Sequence, residues 1–86
     1  MKKLLHIVKD AENPHVQSVI RRQSETADVQ VTVVLVQDAA KTRPDWKAKI
    51  YAQEEDAKKA GSGQAEPIST ARMLDLIFEA DSVTVW

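Results

Sequence analysis

Apolar positions along this chain fall into short blocks separated by amphipathic stretches. Leu4, Leu5, Ile7 and Val8 form a nearly continuous run around His6, the pattern of a strand covered on both faces. Asn13-Pro14 then supplies both parts of a helix start, a capping side chain and a proline at the first helical position. Val16, Val19, Ile20 and Ala27 keep a helical spacing, with Gln17, Ser18, Arg21, Arg22 and Glu25 on the other side. This predicts an amphipathic helix ending near Ala27-Asp28.

VQVTVVLVQDAA is the strongest strand, rich in β-branched residues and free of breakers before Asp38. It alternates at first and becomes wholly apolar through Val34, Leu35 and Val36, which predicts an edge-like start and a buried middle. The stretch AAKTRPDWK leads to a third strand, KAKIYA. Pro44 keeps Arg43 out of a helix, and a parallel crossover usually takes about a dozen residues. Either this link is tight or the second and third strands are not neighbours. EEDAKKAG predicts a brief helix with acids first and lysines last, as the helix dipole favours. Gly61 is its C-cap and residues 62–65 a loop. Pro67-Ile68 predicts a very short strand. Ser69 or Thr70 caps STARMLDLIFEA, whose Met73, Leu74, Ile77 and Phe78 form an apolar face. SVTVW predicts a fifth strand. The order implies an α/β domain over residues 1–86, with a mainly parallel sheet of four to five strands and about three helices.

Composition narrows the chemistry. There are 86 residues and no cysteine, so one small domain is expected, without disulfides or thiolate chemistry. Twelve basic against thirteen acidic residues give a formal charge of −1, which argues against direct nucleic-acid binding. His6 and His15 lack further ligands at zinc-site spacing. Lys2-Lys3 precedes an apolar run too short for a signal peptide or a membrane span, so a cytoplasmic protein is expected.

Strand ends of a parallel sheet share an edge where ligands commonly bind. Asp10, Asp38 and Gln53-Glu54 follow the first three strands, and such carboxylates can bind Mg²⁺. Solvated loop acids and caps are the plainer reading. The two glycines bracket Ser62 and form no phosphate loop, and no serine stands in a nucleophile-elbow context. No cofactor is expected. His6, inside an apolar strand, reads as a neutral core histidine. Arg21-Arg22 and Lys58-Lys59 read as solvated helix faces. At least one of Trp46 and Trp86 is expected to pack on the core or on a partner. Asp10, Asp38, Trp46, Gln53, Glu54 and Trp86 thus make up the candidate partner or ligand edge.

Several segments carry a resemblance. LLHIVKD resembles the opening strand of DsrH/TusB-like proteins, and ADVQVTVVLVQDAA their second strand. KIYAQEEDAKKAG resembles their third strand and following helix, and ISTARMLDLIFEADSVTVW their closing helix and strand, down to the tryptophan. The resemblance, to the DsrE/DsrF/DsrH group of sulfur-relay subunits, covers most of the chain on mainly structural motifs. It implies a small three-layer flavodoxin-like fold and a cytosolic assembly serving tRNA 2-thiouridine formation or sulfur oxidation. In DsrE/TusD-type subunits a cysteine near the end of the third strand carries persulfide; the matching position here falls at about Gln53. Glu54-Glu55 would raise a neighbouring thiol's pKa. The chain departs from the group at Asp38-Ala39, where Asp-Gly is common, and in the shortened stretch that follows.

The resemblance implies a non-catalytic docking subunit, as a homodimer or as a hetero-oligomer with cysteine-bearing DsrE/TusD-like chains. The alternative is a small regulatory domain binding a ligand or Mg²⁺ at Asp10, Asp38 and Glu54. An enzyme using those carboxylates would need burial to separate their pKa values, and these polar turns give no sign of it.

Overall fold

The computed structural model describes residues 2–41, 46–60 and 65–86. These residues form five strands and three α-helices, in the order β1 (Lys2–Val8), α1 (Pro14–Ser24), β2 (Val29–Leu35), β3 (Lys49–Gln53), α2 (Glu54–Ala60), β4 (Glu66–Ile68), α3 (Thr70–Glu79) and β5 (Ser82–Val85). A 3-10 turn, Gln37–Lys41, lies between β2 and β3. All pairings are parallel, in the order β4-β3-β2-β1-β5. This is the small three-layer, flavodoxin-like α/β architecture expected from the sequence.

Strand order decides which face each helix covers. Parallel crossovers are right-handed. Steps β1→β2, β2→β3 and β3→β4 all move the same way, so α1, the 3-10 turn and α2 lie on one face. The last step reverses direction and puts α3 on the other. The core divides accordingly. Val8, Val16, Ile20, Val31, Val33, Leu35, Ala39, Ala40, Trp46, Ala52 and Ala57 form one cluster. Leu5, Val34 and Ile68 form a second, against Met73, Leu76 and Ile77 of α3.

One helix cannot cover that second face. Five strands spaced about 4.8 Å apart span roughly 19 Å, against about 10 Å for a helix with its side chains. Among the described residues two flanks therefore stay uncovered, one beside β2 and β3 and one beside β5. The early alternation of β2 follows from this. β2 is a central strand, and Gln30 and Thr32 are polar because they face the uncovered flank, while Val31 and Val33 are buried on the other side.

The structure differs from expectation at the end of the first helix and on the face of α3, and it decides between the two alternatives for the second and third strands. The first helix stops at Ser24: Thr26 N–H turns to Gln23 O (3.1 Å) instead of Arg22 O, which accepts the Thr26 hydroxyl (2.9 Å), while Ser24 Oγ donates to Arg21 O (3.0 Å). Ala27 is exposed beyond it, and Asp28, at φ 63°, turns the chain so that its carbonyl accepts Lys2 N–H at 2.9 Å. The second and third strands are neighbours, paired from Thr32↔Lys49 to Leu35↔Ala52, with buried Ala39 and Ala40 in the turn that links them. On α3 the seam runs through Met73, Leu76, Ile77 and Ala80, while Leu74 and Phe78 face solvent. The caps are as expected: Asn13 Oδ1 accepts His15 N–H at 2.9 Å, and Ser69 Oγ accepts Arg72 N–H at 3.2 Å. The Arg43-Pro44 link, the Gly61 cap and residues 62–64 lie outside the described residues.

Candidate functional site

The carboxyl ends of β1, β2 and β3 bring Asp10, the 3-10 turn and Gln53-Glu54 to one edge. Asp10 is exposed and its Oδ1 accepts Glu12 N–H at 3.1 Å, closing a local turn. Asp38 lies in the 3-10 turn; its side chain is outside the described set. Gln53, half-buried at the end of β3, takes over the cap of α2: its Oε1 accepts Asp56 N–H at 3.0 Å. Its Nε2 points to Thr70 Oγ1 at 3.4 Å, tying the cap to the start of α3. Glu54 stays exposed, 4.0 Å from Lys58 Nζ, a surface pair contributing about 0.3–0.5 kcal/mol.

The expectation overlooked Asp56. Its Oδ2 accepts Gln37 N–H at 2.8 Å and so holds Gln37 at φ 53°, a left-handed conformation that costs a non-glycine residue about 1–2 kcal/mol. An acid at the third position of a helix signals a capping role, and here it serves a neighbouring turn. Among the described residues no three His, Asp or Glu side chains gather as metal ligands.

The two tryptophans part company. Trp46 is buried in the first core cluster, just before the start of β3. That is the opposite end of the sheet from the candidate edge, so the expectation that it belongs to the edge is corrected. Trp86 does lie at the carboxyl edge. Its N–H donates to Ile7 O at 2.9 Å, its indole stacks on His6 at 6.0 Å, and His15 meets it edge-on at 5.4 Å.

His6 is 2% exposed and both ring nitrogens are engaged. Nδ1 accepts the Trp86 indole N–H at 3.0 Å, and Nε2 bonds Gln23 Oε1 at 2.5 Å. An indole only donates and an amide oxygen only accepts, so the ring is neutral and carries its proton on Nε2. Burial lowers its pKa, although the Gln23 bond opposes the shift. With no free nitrogen, this histidine is a structural member of the core. The composite of His6, Gln23, His15 and Trp86 was invisible in sequence, since its members lie up to 80 positions apart.

A second feature is a surface. Leu74, Phe78, Val83 and Val85 are exposed, Phe78 at 84% and Val85 at 71%. At 100° per residue, Leu74 and Phe78 lie about 110° and 150° around α3 from the centre of its sheet-facing seam, turned the other way from Arg72 and Glu79. Val83 and Val85 pair with Leu5 and Ile7 and so share their face of the sheet. Val83 and Val85 thus stand on the uncovered flank beside β5, while Leu74 and Phe78 are exposed on the outer side of α3. β5 itself, SVTV, is an edge strand without charge or proline. The opposite edge, β4, is three residues long and carries Glu66 and Pro67, devices that discourage further strand pairing.

No family model and no curated protein matches the chain. Among solved structures it is similar to the YchN protein of E. coli, with a TM-score of 0.69 and 10% identity over the full length of both chains. At that identity the likeness shows a shared fold.

Proposed function

We propose that this chain is a non-catalytic docking subunit of a DsrH/TusB-like sulfur-relay assembly, and that its partner is a cysteine-bearing subunit of the same fold. The observation that carries this is the exposure of Leu74, Phe78, Val83 and Val85 together with an unblocked edge strand. Four large apolar side chains exposed on two successive elements point to an interface that covers them. The YchN-like fold supports the resemblance over the whole chain. Gln53 supports the division of labour: where the related subunits place their sulfur-bearing cysteine, its amide caps a helix. The assembly would operate in the cytoplasm, in tRNA thiolation or sulfur oxidation.

The test is co-expression of the tagged chain with a cysteine-bearing DsrE/TusD-like subunit encoded beside it, followed by mass measurement in solution. A stoichiometric complex that Phe78→Asp dissolves is the expected result. A strict monomer that retains no such partner overturns the proposal.

A further inference from the structure

The other uncovered flank has the opposite character. Between α3 and the amino-terminal halves of β1, β2 and β3 lies a cleft of about 200 Å³, the volume of some seven liquid waters. Lys3, Lys49 and Arg72 line it, with Gln30, Thr32 and Tyr51 between them and Leu5 and Leu76 beneath. Among the described residues its single carboxylate is Glu79, 3.9 Å from Arg72.

Exposure alone does not account for these residues. Central strands of parallel sheets are normally apolar on both faces, and on their other face β2 and β3 are: Val29, Val31, Val33, Leu35, Ile50 and Ala52. The β5 flank of this same face is just as uncovered and carries valines. On this face of the sheet the cationic side chains therefore gather on one flank only, in a chain whose formal charge is −1.

We propose that this cleft binds a small phosphate-bearing molecule. Three cations against one carboxylate match a phosphate monoester, which carries about −1.5 to −2 at neutral pH. Arg72 offers a planar fork for two phosphate oxygens, the two lysines act as mobile point charges, and Gln30, Thr32 and Tyr51 supply neutral donors. The cleft's size suits one compact molecule rather than a nucleic-acid backbone, which needs an extended basic track. It lies at the opposite end of the sheet from Gln53 and on the opposite flank of α3 from Phe78, so it stands or falls independently of the docking reading. Glu79 competes with the ligand for Arg72.

The experiment is an amide-resolved NMR titration of the intact chain with inorganic phosphate, and with chloride at matched ionic strength. Saturable shifts confined to Lys3, Gln30, Thr32, Lys49, Tyr51 and Arg72, absent with chloride, are expected. Lys49→Glu, at an exposed strand position, should weaken binding at least tenfold, and Glu79→Gln should tighten it twofold or more. Linear shifts, shifts reproduced by chloride, or equal affinity in Lys49→Glu overturn the proposal. An unaltered spectrum of Lys49→Glu away from residue 49 establishes that the variant is folded.

Discussion

The indole N–H of Trp86 donates to Nδ1 of His6 across 80 positions of sequence, at 3.0 Å. This bond, with Trp86 N–H on Ile7 O and the two-way contact between Lys3 and Asp81, pins β5 to β1 at both ends. Trp86→Phe keeps a ring over His6 and leaves the buried Nδ1 without its donor. A loss of about 1–3 kcal/mol is expected, read from the urea midpoint. A change below 0.5 kcal/mol would mean that β5 is held by its backbone bonds alone.

His6 also predicts a pH response. Its pKa is lowered in the fold by burial, so the unfolded chain takes up a proton that the folded chain resists. Stability from this residue is then level above about pH 7 and declines as the pH falls below the ordinary histidine value of about 6.5. Comparing urea midpoints of the chain and of His6→Asn at pH 7.5 and 5.5 isolates the effect. The loss between the two pH values should be smaller in the variant; equal losses would refute the assignment.

Phe78 and Val85 make almost no contribution to the monomer's own core. Phe78→Ser should leave stability within about 0.5 kcal/mol and reduce partner affinity at least tenfold if the flank is an interface core. Equilibrium unfolding and binding measured on the same variant separate the two roles.

Caps and core should differ in scale. Asn13→Ala removes the acceptor for His15 N–H and is expected to cost about 1 kcal/mol. Ile20→Ala empties a fully buried site and should cost about 2–5 kcal/mol. Thermal unfolding that ranks them the other way would contradict the assigned burial of α1.

Local signals were legible in the sequence. Asn13-Pro14 and Ser69 mark helix starts, and the valine-rich run marks the central strand, because caps and β-branched blocks act over a few residues. The length of the first helix was not legible: Ser24 and Thr26 hydroxyls end it by capturing carbonyls, a competition that apolar spacing does not report. The exposed side of Phe78 was hidden for another reason. A helix shows how wide its apolar stripe is, but only the fold shows how much of it a sheet covers. Trp46 and Trp86 read alike in sequence, and only topology sends them to opposite ends. The cleft residues Lys3, Lys49 and Arg72 looked like scattered surface charge until the single return crossover left their flank open.

The unequal borders of the sheet carry a consequence for aggregation. A protein whose two outer strands were equally receptive would propagate into open-ended fibres. Here Pro67 and Glu66 discourage pairing on one side, so any strand pairing through β5 would stop at two molecules. The asymmetry of its two edges favours a finite pairing over a growing fibre.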